Sequence, residues 1–296
     1  SEVELVLQRI GAFLPASDKN MSLNPREQIL LALHWMGNGE PYHGLGDMHG
    51  VSKSTVCRVV DRVVTVTVNH FLQDVVRWPD DTSAIAPEFL RIGGFPSVCG
   101  CIDGSLIKID SPPVNEEQYV DRNGNHSLNL MGICGPDHSF YFVSCRWPGS
   151  VHDARVLRRS SVTDRFTNGW RPFPGAVILG DSAYPLKSWL MPPIVEANNI
   201  PETIRYNRAH KGTRRLVECA YGIVKERFPC LNYMRLRPIV AAKVVMTCIT
   251  SHNIASRDDF LVDLEINDDN MPNVENFPAE RNGNERQQEF LRYFRR

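Results

Sequence analysis

At 296 residues the chain is long enough for one large domain or two smaller ones. Its 42% hydrophobic and 23% charged content fits a soluble globular protein, and without a run of about 18 apolar residues no membrane span is expected. The net charge of −1 excludes a uniformly basic nucleic-acid binder, but the charge is uneven. Residues 258–296 hold ten acidic and five basic side chains, which leaves 28 basic and 24 acidic residues, a net of +4, in residues 1–257.

Residues 1–5 carry no signal-peptide pattern. Eight cysteines are spread along the chain, several of them in apolar runs where a reduced thiol packs as a small hydrophobe. Cys99 and Cys101 alternate as on a strand and lack zinc-finger spacing. This usage points to a reducing compartment, cytosol or nucleus, without a disulfide framework.

In chain order, residues 3–14 and 24–37 show the apolar spacing of helices. The second has a start signal: Asn24 as cap, Pro25 at the first helical position and Glu27 three residues after the cap. Leu45 to Val60 reads as a short helix, a turn at Gly50 and a second helix capped by Ser52, a helix-turn-helix over about 44–62 within a helical region 1–75. Lys53, Ser54, Thr55 and Arg58 fall on the outward side of the second helix. There they would face DNA in a DNA-binding unit, or simply water in an ordinary helical hairpin. A connection with a long helix fills 65–97.

Strand patterns follow at Val98–Ile109, Leu128–Cys134 and Phe140–Arg146, with a polar loop at 111–126. A helix is expected from about 151 to 166, then a buried strand at Ala176–Leu179. A loop rich in Pro and Asn, with a short strand, leads to a helix at 213–228, and another helix follows at 239–256. The stretch 258–284 is acidic and expected to be disordered, with an amphipathic turn or two at 285–294. This order predicts an α/β (α+β) mixed sheet with helices on its faces, the order of a ribonuclease H-like core, over residues 98–257, followed by an acidic tail, 258–296.

Three carboxylates sit at telling places in that order. Asp103 and Asp181 each close an apolar strand-like run, and Glu218 lies on the helix that follows. Hard oxygen ligands so placed can hold two divalent cations, Mg²⁺ or Mn²⁺, for phosphodiester chemistry. Asp103 would bridge the ions, and Asp181 and Glu218 would each bind one. Taken singly, each has a local alternative as a turn residue, a helix cap or a surface residue. His152 and Asp153 either lie near the metal site or belong to a helix start capped by Ser150, with Asp153 three residues on. Asn207, His210, Lys211, Arg214 and Arg215 precede Glu218. Arg214 can pair with Glu218 four residues on, or the basic cluster of Lys211, Arg214 and Arg215 can hold a DNA backbone.

The segments Gly100–Gly104, Pro148–Asp153, Leu179–Tyr184, Tyr206–His210, Val217–Glu218 and Lys225–Phe228, together with the helix-turn-helix, resemble the PIF/Harbinger superfamily of DDE transposases, in particular the Harbinger transposase-derived nucleases. The resemblance covers about residues 20–255. It implies a ribonuclease H-like domain and a metal-dependent endonuclease, with DNA strand transfer as an accompanying activity. The family's acidic triad falls on Asp103, Asp181 and Glu218. A nuclear location (with cytoplasm), DNA and a Myb-like DNA-binding protein as partners, and a homodimer are further expectations. The alternative is a domesticated adaptor that does not cut and works through a protein partner.

Overall fold

Asn24 starts its helix as the sequence predicts. Its side chain accepts from the Glu27 amide (2.9 Å) and its own amide donates to the Glu27 carboxylate (2.7 Å). The computed structural model describes residues 2–15, 23–195, 200–263 and 282–295. Four helices open the chain: α1 (Glu2–Ile10), α2 (Pro25–Asn38), α3 (Tyr42–His49) and α4 (Lys53–His70). Between α3 and α4, Gly50 takes a left-handed φ of 64°, which only glycine adopts without strain. Ser52 then caps α4 by accepting from the Thr55 amide. The second helix is longer than its pattern implies, because Val63, Val64 and Thr67 stay buried past residue 62. Leu45, Val56 and Val59 are buried between the two helices and the body, and His49 pairs with His34 of α2 (2.8 Å).

A short helix α5 (Leu72–Val75) and α6 (Ile85–Gly93) lead to the sheet. Between them Trp78 is buried and donates its indole N–H to the Cys99 carbonyl (3.0 Å), pinning the connection to the first strand. The strands are β1 (Val98–Lys108), β2 (Ser127–Cys134), β3 (Phe140–Pro148), β4 (Val177–Leu179) and β5 (Leu190–Met191), in the order β3-β2-β1-β4-β5. β1 is central: it pairs antiparallel with β2 and parallel with β4. The mixed α/β sheet is therefore as predicted.

The connection over 65–97 holds two short helices, α5 and α6, in place of the long one expected. Three further helical expectations change. The single helix over 151–166 is two, α7 (Asp153–Arg158) and α8 (Ser161–Thr167), because Ser160 leaves the helix to cap the second. The helix carrying Glu218 is α9 (Pro201–Arg227), which begins twelve residues earlier than expected. Pro201 reads as a loop residue but sits at the first helical position, where its missing N–H costs nothing. The third is α10 (Pro238–Asp263). Over Pro238–Ser256 it is long and apolar enough by composition to cross a membrane, which the sequence reading did not anticipate. Here Val244, Val245, Cys248 and Ile249 are fully buried in the protein core, so this run serves as a core helix.

The expectation of disorder in the acidic stretch lies largely outside the described residues. The amphipathic turn or two is a full helix, α11 (Gly283–Arg295). Phe290 is fully buried against Phe95, and Arg286 donates to the Gly175 carbonyl. All eight cysteines are free, as expected.

Two buried histidines give the fold an acid limit. His210 on α9 donates from Nε2 to the Met191 carbonyl (2.9 Å), and burial pulls its pKa down to about 4. His252 on α10 makes the same kind of bond to His138 (3.1 Å), and burial likewise lowers it to about 4. Both are neutral in the fold but charge near 6.5 when the chain unfolds. The unfolded state thus binds more protons between these values, so stability is full above about 6.5 and is lost as pH falls toward about 4. The urea midpoint should drop over that window, by the equivalent of about 1–3 kcal/mol per histidine, and His252→Gln should flatten the slope. A midpoint unchanged from pH 7 to pH 5 would contradict this.

Candidate active site

Asp103 lies in the middle of β1 rather than at its end, a correction to the sequence reading. The strand continues because Ser105–Lys108 still pair with Ser127–Leu130. Alternation along the strand turns Cys101 and Asp103 toward α9, where the Cys101 thiol meets the Thr213 carbonyl (3.5 Å). Asp181 follows β4 by two residues and bends the chain by accepting from the Ala183 amide (3.0 Å). Glu218 is exposed on α9.

One guanidinium joins two of these acids. Arg214 Nη2 donates to Asp103 Oδ2 and Nη1 to Glu218 Oε1, both at 2.7 Å. The Arg214–Glu218 pairing read from their spacing is therefore present, and Asp103 is its added partner. Burial lowers the pKa of Arg214, but Asp103, Glu218 and Asp181 outweigh it and hold the group firmly charged. Burial raises the pKa of Asp103; Arg214 and the Gly104 amide oppose that, while Asp181 and Asp153 add to it. Tyr221, three residues beyond Glu218, donates its hydroxyl to the Asp103 carbonyl (2.9 Å) and so fastens α9 to the strand.

Asp153 approaches the opposite face of β1. A Cβ on Gly104 would sit 2.4 Å from its Oδ1, so the absence of a side chain there is what admits the carboxylate. Asn129 holds it by donating to Oδ1 (2.7 Å) and to the Val151 carbonyl (2.9 Å). Capping by Ser150 does not occur. Its hydroxyl donates to the Gln118 carbonyl, and His152, exposed, occupies the cap position without a side-chain bond.

The remaining candidates divide. Asn207 clamps the Ile194 backbone with two bonds (2.9 and 2.8 Å), and His210 holds Met191, so both secure the chain around β5. Lys211 and Arg215 are exposed on α9, one turn apart. Lys53, Ser54 and Arg58 are exposed on α4 and Thr55 is half-buried, but α4 packs on α2, α3 and α10, not on the elements that carry the acids. Sequence reading gave no role to Asn129 or Tyr221, and Tyr184 entered it only within the Leu179–Tyr184 segment. Tyr221 does leave a signal, since it lies one turn past Glu218.

The donor set is chemically suited to a hard cation: Asp103, Asp181 and Glu218 offer carboxylate oxygens, with Arg214 among them. Among the described residues, however, no three such side chains are close enough together to hold a metal ion as they stand. Arg214 lies between Asp103 and Glu218 and is bonded to both.

A family model described as DDE superfamily endonuclease matches residues 102–253, which span both Asp103 and Glu218. The chain belongs to that family. Human "Putative nuclease HARBI1" is 31% identical over 261 residues, covering 84% of this chain and 73% of the relative. The mouse protein of that name is 32% identical over 86% of this chain and 74% of its own length. "Protein ALP1-like" of Arabidopsis thaliana is 29% identical, over 80% of this chain and 62% of the relative. No solved structure matches. The Harbinger resemblance drawn from the motifs thus holds over most of the chain.

Gly104→Ala tests the packing of Asp153 directly. The added methyl would force the carboxylate off Asn129, so we expect a loss of about 1–3 kcal/mol in chemical denaturation. An unchanged midpoint would mean that Asp153 moves aside without cost.

Proposed function

We propose that the chain is a divalent-metal-dependent DNA endonuclease of Harbinger type, with Asp103, Asp181 and Glu218 as its acidic triad. The observation that carries this is the guanidinium of Arg214, which draws a carboxylate of the central strand and one of α9 to a single point at 2.7 Å each, within the electrostatic reach of Asp181. The strand order, with β1 central between an antiparallel and a parallel neighbour, supports a ribonuclease H-like core. Mg²⁺ or Mn²⁺ bound by the three acids would supply polarisation of the phosphodiester and charge neutralisation. Arg214 orients Asp103 and Glu218 toward each other, Tyr221 fixes the height of α9 on β1, and Asn129 keeps Asp153 against Gly104. The exposed face of α4 with Lys53, Ser54, Thr55 and Arg58, and the pair Lys211 and Arg215 on α9, are the DNA contacts in this proposal. A nuclear location follows from DNA as substrate.

Nicking of supercoiled DNA in Mn²⁺ or Mg²⁺ is the test. Asp103→Asn should lose activity by about 100-fold or more, the scale of losing a group that acts in the transition state. Protons compete with a cation for Asp103, whose protonation burial favours, so cleavage should fall on acidification. Equal nicking by wild type and Asp103→Asn would sink the proposal.

The adaptor reading has one observation in its favour: Asp103 and Glu218 are both already ion-paired to Arg214. One plant relative, 25% identical, is named for antagonising a heterochromatin protein. Under this reading Asp103→Asn would leave binding to a protein partner, such as a Myb-like one, unchanged.

A further inference from the structure

Next to the acids the charge reverses. Between α7 and residues 183–187 the surface folds into a cavity of about 570 Å³. Arg155, Arg158 and Lys187 line it, and no carboxylate does. Arg155 and Arg158 are exposed and Lys187 is half-buried. None of the three makes an ion pair or side-chain hydrogen bond among the described residues. Leu157 and Pro185 supply apolar wall.

Tyr184 forms the boundary with the acids. It is 3% exposed, and its hydroxyl is buried without a hydrogen-bond partner. That hydroxyl feels Asp153, Asp103 and Asp181, so it stands between the acidic cluster and the basic cavity. A buried hydroxyl left unpaired costs stability unless a ligand completes it.

The juxtaposition answers an electrostatic difficulty. Four carboxylates against one guanidinium repel a polyanion from the very place where it must be cut. Three unpaired cations at the next position along the surface compensate by holding a phosphate that is not itself reacting. We propose that this cavity binds a backbone phosphate of the DNA strand beside the scissile position, with Arg155, Arg158 and Lys187 as its ligands and Tyr184 as the wall that separates it from the acids. The proposal takes its substrate from the nuclease reading, but binding can be measured without cleavage.

The probe is a fluorescein-labelled DNA duplex of mixed sequence, titrated with the full chain by anisotropy in EDTA over a series of KCl concentrations. The variant carries Arg155→Gln, Arg158→Gln and Lys187→Gln together, with its melting midpoint compared to wild type. Its affinity should fall about tenfold or more, and the slope of log K against log salt should shrink by about one, the share of the one phosphate released. If the triple variant is unfolded, Arg155→Gln and Arg158→Gln singly carry the test, each with a weaker affinity and a shallower slope than wild type. A folded variant with unchanged affinity and slope overturns the proposal, as does a wild-type chain that does not bind the duplex. Asp103→Asn run alongside separates the two ideas. If it stops nicking while the triple variant binds normally, the cavity alone is refuted. If it nicks normally while the triple variant loses binding, the cavity stands and the catalytic assignment falls.

Discussion

The contact between Arg214 and Asp103 is the constraint around which the rest is arranged. A charged pair with each side chain less than a fifth exposed is costly to desolvate and is kept only if its geometry is well made. Here it is made by two elements that meet in several other places. Cys101 touches Thr213, Tyr221 reaches the Asp103 carbonyl, and Lys225 reaches toward the Leu106 carbonyl (3.5 Å). These contacts run the length of β1, so α9 lies along the central strand rather than crossing it at one point. Glu218 is consequently placed by the sheet, although it belongs to a helix.

The other helices serve that placement. α6 packs on both β1 and α9, and α11 closes the far end of α9 through Phe290 and Phe294 against Phe95 and Tyr206. Asn253 on α10 bonds both the amide and the carbonyl of Phe140 (2.8 and 2.7 Å), which secures the outer strand. The N-terminal helices reach this body through α10: Lys243 donates to Thr65 of α4 (2.9 Å). The N-terminal helices and the mixed sheet thus share one core helix.

Much of the fold was legible because its signals are local. Alternation marked β1, β2 and β3, and the Asn24–Pro25–Glu27 and Gly50–Ser52 signals marked helix boundaries that the structure keeps. What was not legible depends on distant partners. The early start of α9 rests on Asn207 and His210 reaching back to the chain around β5, and no local pattern announces that. Ser150 looked like a cap because Asp153 follows at the right spacing, but Gln118 takes its hydroxyl and Asn129 takes the aspartate. At the site, the i,i+4 spacing disclosed Arg214 with Glu218, while the bond to Asp103 spans 111 residues and is invisible to any window. Arg155, Arg158 and Lys187 carry no motif; only folding brings them to one cavity.

Gly104 has a consequence beyond packing. A β-sheet ordinarily insulates its two faces from each other, because side chains on one strand position thicken the wall on either side. At Gly104 that wall is reduced to bare backbone, and Asp153 rests against it on one side while its neighbour Asp103 projects from the other. The sheet is therefore electrostatically thin at this spot. The Asp153 carboxylate on one face thus still adds to the charge that Asp103 feels on the other.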